Sequence, residues 1–334
     1  MNGYLAATQA VAVFERGDRS LLTVSGKAPG KMLRGVVTGV IPEPPTEVED
    51  GVFGGEAKYN AVLTPKGKMV SDLWAMLPAE EEDPGFLFDV PVSGRDALVE
   101  HLGKLMPPRF ARVEDISASW RALSVVGPRA PELLSRMALG LRLDEAWFRD
   151  AEEGAWRRVG RPSEGLLIMR TCDVWPEAWT VYGPTTAVSA LSRALADGGA
   201  EPADAGVWET LRVEAGRPAF GADMNDRTIP PEAGIVERAI DQTKGCYTGQ
   251  EVIVRIRDRG HVNRQLRQLD LGDAPVPPIG SELQAVDDPA KIVGEVTSAV
   301  HSPKFGGSLA MAYVRRGVDR ALIGGREIVI PGDS

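Results

Sequence analysis

The sequence predicts an α+β fold, mixed strands and helices for most of its length followed by a small all-β unit. Three observations predict it. Strand-like and helical apolar spacings alternate through the first 260 residues. Two apolar runs joined by Pro65-Lys66-Gly67-Lys68 read as a hairpin, which fits α+β better than a doubly wound parallel sheet. After Gly260 the apolar runs become short, and turn residues part them at regular intervals, as in a small barrel or sandwich.

The elements follow in order. Ser20 to Gly26 reads as a strand ending in a turn, and Ala28 to Val37 has helical spacing weakened at its start by Pro29 and Gly30. The proline-rich, acidic stretch from Ile41 to Gly55 reads as a loop. Glu56 to Thr64 and Met69 to Met76 form the hairpin strands, and Glu80 to Gly85 supplies a turn. Ser93 to Met106 carries Leu98, Val99, Leu102, Leu105 and Met106 at helical spacing. Arg121 to Val126 reads as a strand, and a helix follows from Ala130 with Pro131 in its first turn. Leu166 to Arg170 and Trp179 to Tyr182 read as strands. Thr185 to Asp197 is a helix stopped by Gly198 and Gly199, and Asp204 to Glu214 is another. The tail strands are Leu266 to Leu271, Glu282 to Val286, Ile292 to Val300, Leu309 to Val314 and Glu327 to Ile330. These readings place one unit over 1–120, a second over 121–262 and the β unit over 263–334. A length of 334 residues suits two domains, or three small ones, at about 150 residues each.

Composition excludes several classes. The net charge is −9, which disfavours nucleic acid, whose affinity rests on phosphate neutralisation. Arg255, Arg257, Arg259, Arg264 and Arg267 cluster in sequence, either as a solvated helix face or as a local basic pocket. No apolar run is long enough to span a bilayer, and the N-terminus lacks a basic start and a clear cleavage site. A cytoplasmic, monomeric protein with no membrane partner is therefore expected. Two cysteines, Cys172 and Cys246, and three histidines support neither a disulfide framework nor a structural zinc site, and no metal ligand is assigned.

The richest segment is Lys244 to Glu251, KGCYTGQE. Thr248 and Glu251 have capping-box spacing, so a helix is expected after Thr248, ending at Gly260 with Val252, Ile253 and Ile256 buried. Strand alternation of Val252, Val254 and Ile256 is the competing reading. On the helical reading Cys246 sits just before a helix N-terminus, beside Lys244, where a thiolate is favoured. A small buried cysteine packed as a hydrophobe is the alternative. Cys172 has no such setting and reads as structural.

Two further constellations stand out. In LRVEAGRPAFGAD, Glu214 can accept two N–H bonds from an aminopyrimidine-like ring, or can pair with Arg212 or Arg217. In YNAVLTPKGKMVSD, Tyr59 can stack on an aromatic ligand and Asp72 can bond its ring nitrogens, or the segment is an ordinary hairpin.

Taken together these segments resemble the YgfZ-type folate-binding proteins, relatives of the glycine-cleavage T-protein, a folate-dependent aminomethyltransferase. KGCYTGQE carries the signature positions Lys244, Gly245, Cys246, Tyr247, Gly249, Gln250 and Glu251. LLTVSGKAPGKML, YNAVLTPKGKMVSDL, LSVVGPRAPELL and LRVEAGRPAFGAD follow in the expected order, and VGEVTSAVHSP with LAMAYVRR resembles the C-terminal barrel. The resemblance implies a three-part ring around a cavity for tetrahydrofolate or another reduced folate. It places Glu214 at the pterin and Tyr59 as a folate contact, with Asp72 and Arg255 as further candidates. It implies support for iron–sulfur cluster assembly or repair in client enzymes, with Cys246 as the essential group. T-protein enzymes carry paired aspartates where this chain has Ser71-Asp72, so an aminomethyltransferase is the alternative, as is a non-catalytic folate-binding scaffold. Two distant cysteines do not suit a stable cluster in the chain itself.

Overall fold

Two sheets face each other across the molecule, and each has helices on its outer side. The computed structural model describes residues 3–49, 51–79, 85–137 and 145–332. The first sheet has five antiparallel strands, in the order Lys58–Leu63, Met69–Met76, Phe86–Pro91, Arg19–Ser25 and Arg112–Asp115. The second has eight, in the order Glu201–Pro202, Ala12–Glu15, Trp120–Val126, Ala178–Pro184, Leu166–Thr171, Ala155–Val159, Val52–Glu56 and Thr46–Glu49. The chain therefore crosses between the sheets. Strands from its first 56 residues complete a sheet otherwise built from residues 120–202.

Alternation along each strand explains the layering. On Met69–Met76, Met69, Trp74 and Met76 pack between the sheets with Trp156, Met169 and Tyr182. Val70, Leu73 and Ala75 turn outward against the Val92–Leu105 helix, which buries Leu98 and Leu102. The eight-stranded sheet buries Leu123, Ile168, Trp179 and Val181 under the Thr185–Asp197 helix. Residues 264–329 form a six-stranded antiparallel sheet curled as a half-barrel over Leu269, Val296, Ala310 and Ala312. The fold is α+β, as the sequence predicts.

The half-barrel is anchored by buried polar groups. Arg212 of the Ala205–Glu214 helix donates to Asp223 at 2.6 Å and to Ser298 of the half-barrel at 2.8 Å. Ser298 donates to Asp223 at 2.8 Å. A buried charge so matched costs little to keep and much to break.

Several readings are corrected. Residues 41–55 are not all loop, because Thr46–Glu49 and Val52–Glu56 pair at the sheet edge. The outermost of these strands is exposed along its length, so no apolar alternation marks it. Leu105 is exposed rather than part of the buried stripe, because its helix ends there and Met106 takes the inward position. The expected turn Glu80 to Gly85 falls, up to residue 84, outside the described residues.

Candidate functional site

A cavity of about 350 Å³ opens between the five-stranded sheet, the start of the Val92–Leu105 helix and the segment 217–221. Its inner wall is Tyr59, Asp72 and Trp74. Tyr59 and Trp74 face each other across neighbouring strands, with ring centroids 5.4 Å apart. Tyr59 donates its hydroxyl to Asp72 Oδ2 at 2.5 Å. Asp72 Oδ1 and the Trp74 indole N–H are buried and have no hydrogen-bond partner among the described residues. Buried polar atoms are seldom left so. A ligand with its own donor and acceptor would satisfy both.

Among the described residues five arginines and two further aspartates, Asp18 and Asp173, also line the cavity. Arg238 donates to Asp173 at 2.6 Å and to Glu153, and its guanidinium lies 4.2 Å from the Tyr59 ring centroid. Arg19 donates to Asp89 at 2.6 Å. Arg16 forks onto Asp18 and lies 3.8 Å from the Trp208 ring centroid. Burial alone would raise the Asp173 carboxyl, but the charge and hydrogen bond of Arg238, with Arg19 and Arg16 behind it, hold it well below the carboxylate range. Asp72 goes the other way. Burial raises it, and neither Arg19 nor the Tyr59 hydroxyl offsets that fully. Burial, then the neighbouring Asp72, pushes the Tyr59 phenol well up, so it stays protonated and donating.

Ser71 and Asp72 point to opposite faces of their strand. Ser71 packs against Gly94 of the Val92–Leu105 helix, and only Asp72 reaches the cavity. Glu214 does not line the cavity. It is buried, and its carboxylate accepts from Tyr4 at 2.9 Å and from Ser302 at 2.5 Å. Arg255 does not either, being exposed on the Gln250–Arg259 helix. The structure thus brings Tyr59 and Asp72 together and leaves Glu214 and Arg255 elsewhere.

KGCYTGQE connects the two sheets' end of the molecule to that helix. Lys244 donates to the carbonyls of Val37 and Gly39, each at 2.7 Å, and burial lowers its ammonium to about 8. Tyr247 is buried in the inter-sheet core. The Thr248 N–H donates to Gly35 O at 3.0 Å. Gly249 has φ +83°, and a β-carbon there would meet Thr64 O at 2.6 Å. The helix runs Gln250–Arg259 and ends at Gly260, but its N-cap is Gly249. The expected Thr248–Glu251 capping box is not formed, because Thr248 turns its hydroxyl to Gly35 O. Only Ile253 of the expected stripe is fully buried. Cys246 is exposed and does not line the cavity. Cys172 is half-buried, and burial together with Glu153 raises its thiol. Among the described residues no cluster of histidine, cysteine or carboxylate side chains suits a metal ion. Among them, too, no helix is long and apolar enough to cross a membrane.

Trp74, Asp173, Arg19 and Arg238 escaped the sequence reading. Trp74 had a usable signal, since it lies two residues beyond Asp72 on the same strand face. The others meet the cavity through long-range pairing that no local spacing encodes.

Residues 3–244 match the GCVT N-terminal domain, and residues 264–332 match the glycine cleavage T-protein C-terminal barrel domain. Residues 245–263, which hold all of KGCYTGQE after Lys244, lie outside both matches. An aminomethyltransferase of Rubrobacter xylanophilus is 28% identical over 262 residues, 78% of this chain and 66% of that one. One from Prochlorococcus marinus is 24% identical over 319 residues, 94% of this chain and 82% of that one. The crystal structure of glycine cleavage system aminomethyltransferase T from Bartonella henselae superposes with a TM-score of 0.80, covering 98% of this chain and 86% of that one at 19% identity. That likeness is one of fold.

Proposed function

The chain belongs to the glycine cleavage T-protein family, and from that premise we propose that it is a reduced-folate-binding protein of the YgfZ type. In this reading it supports assembly or repair of iron–sulfur clusters in client enzymes, with Cys246 as the essential group. One observation carries the proposal. Lys244, Tyr247 and Gly249, which frame Cys246 in the motif, each have a structural task, while the Cys246 thiol itself is exposed. Lys244 ties two backbone carbonyls, Tyr247 fills the core, and Gly249 fits where a side chain would strike Thr64. The fold spends a rigid frame on presenting one exposed thiol.

The cavity suits a pterin. It has aromatic walls in Tyr59 and Trp74, and the Asp72 oxygen and Trp74 N–H lack a donor and an acceptor respectively. Its volume lies within the range of small-molecule sites, about 300–1,000 Å³. Tyr59 and Asp72 would hold and orient the folate, and Arg238 would close the cavity beneath it. The folate supplies one-carbon or reducing chemistry when bound. Cys246 would contribute a thiolate to a client's cluster or to an intermediate on it.

Aminomethyl transfer is the second reading, and one observation favours it. The departure at Ser71 lies on the outer strand face, so it leaves the cavity's own aspartate, Asp72, in place. The two readings separate in one experiment. A strain whose only copy is Cys246→Ser is compared with wild type for iron–sulfur enzyme activities, while purified protein is assayed for 5,10-methylenetetrahydrofolate formation from an amine donor. Loss of client activity without turnover in the assay supports the first reading. Turnover abolished by Asp72→Ala, with client activities intact in the Cys246→Ser strain, replaces it with the second.

A further inference from the structure

A smaller cavity, of about 150 Å³, lies against the motif and shares no lining residue with the first. Its walls are apolar. Val236 and Ile240 come from the segment before the motif, Ile253, Val254 and Ile256 from the helix after it, and Tyr247 from the motif itself. Val254 and Ile256 are only half-buried, so this side of the Gln250–Arg259 helix is left partly uncovered by the described residues. Tyr247 follows the exposed Cys246 directly, one Cα step of about 3.8 Å. The surroundings are basic. Three segments meet at the motif: the Thr248 N–H donates to Gly35 O, just after the Pro29–Arg34 helix, while Gly249 and Val252 pack against Thr64 and Gly67 of the hairpin turn. Lys31, Arg34, Lys66, Arg255, Arg257 and Arg259 are exposed on these segments, against Glu251 and Asp258, with Asp241 at the cavity's rim. In a chain of net charge −9 that is a local reversal of sign.

We infer that this face is the docking site for a segment of a client protein, which inserts one large apolar side chain flanked by carboxylates and so brings the client to Cys246. The inference rests on the iron–sulfur reading above and names the surface which that reading needs. Three features identify the occupant. The volume is below that of small-molecule sites, about 300–1,000 Å³, and suits a group about the size of benzene. The apolar surface is concave, so it receives a side chain, whereas a lipid surface would call for apolar side chains that protrude. The surroundings are cationic, so acidic flanks are attracted and can pair with exposed guanidinium groups. A single anchored side chain within a charged rim is how binding energy concentrates in protein interfaces.

Disulfide competition at Cys246 of the full-length protein tests this. Two peptides compete in excess 2-mercaptoethanol, and mass spectrometry reads the ratio of their mixed disulfides at Cys246. Both compete for the same thiol, so the ratio is independent of its reactivity. The reference peptide is Asp-Leu-Gly-Cys-Gly-Leu-Asp. One competitor has serine for leucine, the other lysine for aspartate. The reference is expected to exceed the serine peptide at least about fivefold. It should exceed the lysine peptide about threefold at low salt, and by less at physiological salt. Val254→Glu sets a carboxylate in the apolar wall and should bring the serine ratio to about one. Arg255→Ala/Arg259→Ala should lower the lysine ratio and keep the serine ratio. Thermal unfolding confirms that the variants are folded. A wild-type ratio near one against either competitor overturns the docking site whether or not a variant folds, as does an unchanged serine ratio in folded Val254→Glu. A strain whose only copy is Val254→Glu, present at wild-type level, separates this inference from the reading beneath it. Loss of iron–sulfur enzyme activities, as in the Cys246→Ser strain, supports the site. Full activities there, with loss in Cys246→Ser, overturn the site and leave the iron–sulfur reading standing. Full activities in both strains remove both.

Discussion

The cavity and the KGCYTGQE segment use charge in opposite ways. In the cavity, charged side chains are held by one another, most of them partly or fully buried: Arg238 on Asp173 and Glu153, Arg19 on Asp89, and Arg16 on the exposed Asp18. In the motif, Lys244 is tied to backbone carbonyls and Tyr247 to the core, and the Cys246 thiol is exposed to solvent. The cavity's paired charges are therefore coupled to stability, because each of Arg238, Arg19 and Arg16 neutralises a neighbouring carboxylate. The motif separates function from stability. Removing one member of a charge pair in the cavity should disturb the fold and the site together, whereas a change at Cys246 should disturb function alone.

Arg238→Met gives the largest expected effect. It strands the carboxylates of Asp173 and Glu153 and bares the ring faces of Tyr59 and Trp74. Leaving a buried charge without its partner costs about 3–5 kcal/mol. Urea unfolding near neutral pH should show a loss of that order. The sign of its pH dependence is fixed by Asp173, whose folded value is depressed. The stability it contributes is present above its ordinary value, about 3.9, and is lost as pH falls through the folded value. The difference between wild type and Arg238→Met should therefore shrink as pH falls into the acid range. A difference that widens there would contradict the coupling.

Gly249→Ala comes next. The residue needs φ +83°, and an added β-carbon would lie 2.6 Å from Thr64 O and 3.0 Å from the Leu63 side chain. Strain of this kind costs about 1–3 kcal/mol. It should also loosen the grip between the motif and the Lys58–Leu63 and Met69–Met76 hairpin. Hydrogen exchange at the Thr248 amide, bonded to Gly35 O, would report that loosening. Unchanged stability and exchange would mean that the motif is not held by its glycine.

Asp72→Asn should be milder for the fold and severe for the ligand. Because its folded value is raised, ionised Asp72 lowers stability, and that cost is relieved as pH falls toward the ordinary carboxylate value. The amide removes the cost, so stability near neutral pH should hold or rise by about 1 kcal/mol. Reduced-folate affinity should fall by about 1–3 kcal/mol, the usual consequence of losing a buried hydrogen-bond partner. Calorimetry and urea unfolding on the same preparation check both. Retained affinity would remove Asp72 from the site.

The two regions also differ in how far the sequence announces them. The motif was legible because it is contiguous. Its lysine, cysteine, aromatic residue and glycines lie within eight residues, and the helix end at Gly260 follows from composition. What misled was Thr248, whose capping-box spacing was overruled by a contact with Gly35, far away in sequence. The cavity was half legible. Tyr59 and Asp72 share a hairpin, so strand alternation brings them together. Arg19, Asp173 and Arg238 come from separate parts of the chain, and only the interleaving of the two sheets unites them. Glu214 was misplaced for a related reason. Its helix does supply Trp208 and Arg212 to the cavity, but the carboxylate turns to Tyr4 and the half-barrel's Ser302. The fold class was the easiest part, because hydrophobic periodicity is local and repeats along the whole chain.

Cys246→Ser gives the smallest expected effect on the fold, and for that reason it is the sharpest test of the separation. The substitution replaces one atom on an exposed side chain, and the frame that holds residue 246 is built from Lys244, Tyr247, Thr248 and Gly249 rather than from the thiol. Surface changes of this size stay within about 0.5 kcal/mol, so unfolding midpoints should coincide with wild type. The reactivity of the two cysteines provides the complementary measurement. Cys172 is half-buried, and its thiol is raised by burial and by Glu153, so little thiolate is present near neutral pH. Cys246 is open to reagent. Mass-spectrometric labelling of the native protein should modify Cys246 at least about tenfold faster, and the contrast should collapse in urea, where both thiols are equally exposed. A Cys246→Ser variant that unfolds more readily, or a native Cys172 that labels first, would place the thiol among the structural residues and return KGCYTGQE to the same regime as the cavity.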